Sequence, residues 1–277
     1  MKKKIIKKTK KKAKRTFEQE DKPESAKKFL RELKSKKTLS NKEEFEMMLK
    51  SIKINNPWLT DNTLEAFKIC DRKFFVSHHP YVDLPLHIAH GQTISQPTTI
   101  ARMLQLLGLE KGLRILEVGA NTGYHACLAA WLVFPGQVVS VEIYTDLVKQ
   151  AEKNIDKLAE QLKRKKIRGR GYSNVKLVVG DALDSNNDVW NRKYDRIYYT
   201  AGVHPNQMAV VKELALRALR ENGLLLFPTR ESFDFGGLEL WQKKNDRLES
   251  IKKDSGYSFV PLIRQKDIEE VYEKVKK

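Results

Sequence analysis

Between Arg114 and Pro228 the sequence alternates short, largely apolar runs with stretches of helical spacing, and this alternation narrows the possible folds more than any other feature. Arg114–Val118, Gln137–Val141, Val175–Val179, Arg196–Thr200 and Leu224–Pro228 read as buried strands. Tyr124–Phe134, Asp146–Arg164 and Gln207–Arg220 read as the helices between them. Strands separated by helices pair in parallel, so the pattern predicts a doubly wound α/β sheet. Leu238–Lys243 and Arg247–Lys253 flank Asn245-Asp246, a turn dipeptide, and predict an antiparallel addition at the C-terminal end. Upstream, Asn41 caps a helix carrying Phe45, Met48, Leu49 and Ile52. Thr60 or Asp61 caps a second helix with Leu64, Phe67 and Ile69, and Pro97 opens a third with Ile100, Met103, Leu104 and Leu107. Residues 41–97 thus form a helical lead-in and 98–277 the sheet core.

The net charge is confined to two places. Residues 1–40 hold 17 Lys/Arg against 5 Asp/Glu, a net of +12, and six further basic residues with no acid lie in 163–170. The total is +18, so the remainder is neutral. Lys2–Lys12 repels itself and offers only Ile5 and Ile6 to a core, so residues 1–40 read as a basic, disordered arm. A weak helix over Glu24–Lys37 is the one pattern within it. The arm and the 163–170 segment are candidates for contact with nucleic acid or another polyanion. No apolar run approaches the ~20 residues of a membrane span, and no apolar stretch follows the N-terminal lysines as in a signal peptide. Two cysteines, Cys70 and Cys127, suggest neither a disulfide framework nor a metal site, and the histidines lack metal-ligand spacing. The expectation is a monomeric cytoplasmic protein without a metal.

Glu117-Val118-Gly119-Ala120-Asn121-Thr122-Gly123 places a glycine turn at the carboxyl end of the first core strand. There, backbone N–H groups can approach a polar cofactor. Glu142 closes the second strand, where an acid can accept hydrogen bonds from ribose hydroxyls, and Gly180-Asp181-Ala182 follows the third. The glycines do not have the G-x-G-x-x-G spacing of nicotinamide enzymes.

This turn resembles the first cofactor motif of S-adenosylmethionine-dependent methyltransferases, with Asn121 where a third glycine is usual and Ala182 where a second is. Asp83-Leu84-Pro85-Leu86-His87-Ile88-Ala89-His90-Gly91-Gln92-Thr93-Ile94-Ser95-Gln96-Pro97 resembles the substrate-side segment of the protein-L-isoaspartate O-methyltransferases. Arg72-Lys73-Phe74-Phe75-Val76 and Phe259-Val260-Pro261-Leu262 resemble two further elements of that family, and the likeness runs from about Leu59 to Ile263.

The resemblance implies a mostly parallel, seven-stranded Rossmann-like sheet and S-adenosyl-L-methionine as cofactor. It further implies methyl transfer to the carboxylate of isoaspartyl residues in peptides or proteins, a protein repair reaction. Carried over residue by residue, it assigns Ser95 and Thr93 as catalytic hydroxyl donors orienting the acceptor carboxylate. Glu117, Gly119, Asn121, Gly123, Glu142, Asp181 and Ala182 would hold the cofactor, and His90, Gln92, Thr200, Val260 and Pro261 the substrate. Ser95 could equally cap the helix that starts at Pro97. A carboxylate, with a pKa of about 4, is already ionised at neutral pH and needs no general base, so alignment and water exclusion are the enzyme's task. Two other readings stand beside this one. An RNA methyltransferase recruited by the basic arm would carry a different motif at Thr200-Ala201-Gly202-Val203-His204-Pro205 or a suitably placed cysteine. A non-catalytic module would explain Asn121 and Ala182, and cofactor binding separates it from the enzymes.

Overall fold

The computed structural model describes residues 39–167, 171–231 and 236–275. The chain divides into two units, Met1–Glu43 and Glu44–Lys277. The basic arm, save its last two residues, the short helix expected over Glu24–Lys37, and residues 168–170 of the second basic segment lie outside the described residues.

Ser40, rather than Asn41, caps α1 (Asn41–Asn55). Its hydroxyl accepts from the Glu43 amide at 3.3 Å, and the Glu43 carboxylate accepts from the Ser40 amide at 2.8 Å, a reciprocal capping box. Thr60 caps α2 (Asp61–Ile69) as expected, accepting from the Thr63 amide. A two-stranded antiparallel ladder, β1 (Leu86–His87) with β2 (Thr93–Ile94), precedes α3 (Pro97–Leu107).

The core sheet then follows the sequence alternation. Its elements in order are β3 (Arg114–Val118), α4 (Tyr124–Val133), β4 (Gln137–Glu142), α5 (Thr145–Arg164), β5 (Val175–Val179), β6 (Tyr194–Tyr199) and α6 (Met208–Ala218). After these come β7 (Leu219–Pro228), β8 (Gly236–Lys244), β9 (Arg247–Tyr257) and α7 (Gln265–Val275).

The seven strands are ordered β5-β4-β3-β6-β7-β8-β9, parallel through β7 and antiparallel at the β7–β8 and β8–β9 pairs. The chain runs outward from β3 to β5 and then returns past β3 to β6. The connections leaving β3 and β6 therefore diverge and open a crevice at their carboxyl ends. Along each strand the side chains alternate between two cores. Ile115, Val138, Tyr198 and Leu226 face the side covered by α1–α5, while Leu116, Val139, Ile197 and Leu225 face the side covered by α6. Every residue of α4 is buried, as an all-round apolar helix must be.

Several boundaries differ from expectation: β6 starts two residues earlier, at Tyr194, and β9 runs four residues past Lys253, to Tyr257. Leu219 already belongs to β7, because Glu221-Asn222-Gly223 bends the strand (Asn222 has φ +62°) without ending it. The polar residues there hid the strand's first half. Helix α7 was not expected at all. Among the described residues no helix is long and apolar enough to cross a membrane.

Candidate cofactor and substrate site

The carboxyl ends of β3, β4, β5 and β6 enclose a cleft of about 420 Å³. Its walls include Gly119 and Asn121 after β3, Glu142 to Tyr144 at the end of β4, Gly180 and Ala182 after β5, and Thr200 after β6. Gly119 has φ +97°, and a Cβ there would lie 2.2 Å from the Thr200 hydroxyl, so no other residue fits. Thr200 in turn donates to the Gly119 carbonyl at 2.8 Å. Asn121 takes the usual third-glycine position with φ +50°, a conformation asparagine tolerates. Its side-chain amide donates to Thr200 Oγ1 and to the Gly119 carbonyl, each at 3.2 Å. The departure from glycine thus adds a brace beneath the turn. Gly123, φ +85°, packs against Ala151 and Ile155 of α5.

Glu142 is buried at the cleft's edge. Its Oε2 accepts from the Asn121 amide at 2.9 Å, and Oε1 accepts from the Ile143 and Tyr144 amides at 3.0 and 3.2 Å. Burial raises its pKa, and these amides together with the His90 charge work against that rise. A carboxylate has about four lone-pair sites. Three are filled from within the chain, which leaves one on Oε2 for a ribose hydroxyl. A second ribose bond must displace the Ile143 or Tyr144 amide. Asp181 accepts from Leu183 N at 2.7 Å on one oxygen and from Gln265 N, the first residue of α7, at 2.9 Å on the other. Ala182 lines the cleft and its carbonyl accepts from the Trp190 indole at 3.0 Å. Asp181 itself does not line the cleft. The lining suits a nucleoside cofactor through the Glu142 carboxylate, placed to accept from ribose, and the glycine turn.

Glu117, expected among the cofactor residues, stands apart. Strand alternation turns it away from the cleft into the α4 side, where it is fully buried and hydrogen-bonded to Ser140 with Tyr198 alongside. Burial pushes its pKa up to about 8, opposed by those two hydroxyls.

Of the expected substrate residues, Gln92, Thr200 and Pro261 line the cleft. Val260 does not, although its carbonyl accepts from Gly202 N at 2.7 Å and so pins the loop after β6 to the Phe259–Leu262 segment. His90 does not line the cleft either. It stacks on Tyr144 with centroids 4.0 Å apart and pairs with Asp146 at 2.8 Å. Thr93 and Ser95 are half-buried just past Gln92 and do not line the cleft, and their hydroxyls have no protein partner among the described residues. Ser95 does not cap α3. That position is Gln96, without a side-chain cap bond, and Asp83 serves the helix start instead, accepting from Thr98 N and Thr98 Oγ1 at 3.0 Å.

Sequence reasoning quoted Arg72 within a family element and gave no role to it, yet it organises this segment. Arg72 is fully buried, and its guanidinium donates to the carbonyls of Pro80, Val82, Leu84 and Ser95 at 3.0–3.3 Å. The Arg72-Lys73-Phe74-Phe75-Val76 element was its signal. Among the described residues no group of three or more His, Cys, Asp or Glu is placed to hold a metal.

A seven-stranded, mostly parallel sheet with this crevice defines the S-adenosylmethionine-dependent methyltransferase class. Within it, residues 42–267 match the family model Protein-L-isoaspartate(D-aspartate) O-methyltransferase, and the chain belongs to that family. It is 34% identical over 187 residues to the protein-L-isoaspartate O-methyltransferase of Methanococcus aeolicus, covering 67% of this chain and 76% of the relative. It is also 34% identical over 211 residues to that of Methanothrix thermoacetophila, covering 74% and 90%. A Plasmodium falciparum protein assigned as a protein-L-isoaspartate O-methyltransferase, solved in complex with S-adenosyl-L-homocysteine, superposes with a TM-score of 0.65 and 25% identity over 80% of this chain and 99% of its own.

Proposed function

We propose that the protein transfers a methyl group from S-adenosyl-L-methionine to the carboxylate of isoaspartyl residues in peptides or proteins. One observation carries the reading: the glycine turn, Glu142 and the Gly180 and Ala182 pair flanking Asp181 end three adjacent parallel strands around one cleft, in a chain of this family. The cofactor, when bound, supplies an electrophilic methyl group. Glu142 holds the ribose, and Gly119 and Asn121 shape the turn against which the cofactor rests. Asp181 and Ala182 border the base. Ser95 and Thr93, whose hydroxyls have no partner among the described residues, orient the acceptor carboxylate, which arrives ionised and is held in line while water is excluded. The basic segments 1–40 and 163–170 take no part in this chemistry and serve contact with a polyanion.

Transfer of labelled methyl from S-adenosyl-L-methionine to an isoaspartyl peptide, with the aspartyl peptide as control, tests the reading. Equal labelling of the two peptides, or none of either, overturns it.

A further inference from the structure

A second groove, of about 1090 Å³, opens one residue beyond Ser95, at Gln96. It runs between the α1–α2 connection, the first turns of α3 and the end of β9, where Tyr257 stands two residues before Phe259. On its rim Trp58 is 81% exposed, whereas Trp131 and Trp190 are 8% and 2% exposed. An indole left in water is the side chain most often used to anchor a partner.

The groove's chemistry is specific. Asn56 lines it at 2% exposure. Its amide nitrogen is spent on the carbonyls of Ile52 and Thr98, but Oδ1 has no partner among the described residues. A buried acceptor without a donor is costly, so a ligand N–H would relieve it. The charged residues cancel within the protein: Arg102 pairs with Asp254, and Lys253 with Glu239. What remains to a ligand is side-chain amide, hydroxyl and indole, with no net charge. Amides match the alternating donors and acceptors of a polypeptide backbone.

We propose that this groove holds the stretch of substrate polypeptide flanking the methyl-accepting residue, with Trp58 as its anchor. The inference rests on the reading above that Ser95 faces the acceptor carboxylate. It makes the enzyme selective for acceptors embedded in a chain of uncharged flanking sequence.

The test measures binding of isoaspartyl peptides of about four and about twelve residues, roughly 13 and 40 Å when extended. Both are titrated in the presence of S-adenosyl-L-homocysteine against the wild type, Trp58→Ala and Trp58→Phe. The wild type binds the long peptide about thirtyfold more tightly than the short one, a gap of one hot-spot side chain. Trp58→Ala closes the gap, Trp58→Phe keeps most of it, and neither changes affinity for the short peptide or the cofactor. A gap undiminished in Trp58→Ala, or absent in the wild type, overturns the groove while leaving the methyl-transfer reading intact. Failure of the wild type to prefer isoaspartyl over aspartyl peptides at either length removes the acceptor reading, and the groove's role with it.

Discussion

Glu142 and Asn121 show how closely single residues are used at this cleft. Glu142 gives three of its acceptor sites to backbone amides, so the remaining one is charge-assisted and well oriented. Glu142→Ala is expected to weaken cofactor affinity by about 1.5–3 kcal/mol, read by calorimetry. Asn121→Gly keeps the positive φ but removes both bonds to Thr200 and Gly119. It should therefore bind cofactor less tightly than the wild type even though glycine is the family's usual residue there, and tighter binding would show that Asn121 is not a brace. Ser95→Ala should lower methyl transfer while leaving cofactor affinity near the wild-type value, since the hydroxyl has no partner to lose among the described residues. Glu117 offers a test by pH. Its folded pKa of about 8 lies above its unfolded value, so the stability it contributes is complete below about pH 4 and declines as pH rises to about 8. Glu117→Gln should flatten that decline and be more stable than the wild type at pH 8 by roughly 2–4 kcal/mol, measured by denaturant unfolding.

At the scale of elements, the 72–97 segment is held by side chains rather than by regular structure. Arg72 ties four carbonyls together, and Asp83 joins Ser51 on α1 to the first turn of α3. Arg72→Met strands those carbonyls in the interior and is expected to cost about 3–5 kcal/mol of stability, lowering the midpoint of chemical unfolding. This is also where the sequence was least legible. The core strands and helices could be read because each buries a whole period of apolar residues, as Leu116, Val118, Ile197 and Tyr199 do on one face. The β1–β2 ladder, two residues on each side, has no period to read, and the Asp83 and Arg72 contacts join residues that no local pattern links. Helix α7 escaped notice because its sequence is mostly charged, and what fixes its start is Asp181, 84 residues away. The cleft residues after β3, β4 and β5 were legible because topology sends consecutive strand ends to one place. Glu117 was misplaced for the opposite reason: its neighbour in sequence belongs to the other face of the sheet.

For the molecule as a whole, the net charge lies in two basic segments and the remainder is neutral. Deleting residues 1–40 is expected to reduce retention on immobilised RNA or DNA, with a steep salt dependence in the full-length chain, and to leave methylation of a short isoaspartyl peptide close to normal. Loss of peptide methylation with the fold intact would place the arm in the active site. The opposite edge of the sheet carries a different opportunity. Asn245 and Asp246 join β8 to β9 with φ +49° and +57°, the mirror-image turn that suits strand twist, and neither residue lines the cleft. A foreign sequence spliced between them would therefore leave both strand pairings in register. A fluorophore tag or a second binding module could be carried there without the cofactor sensing it.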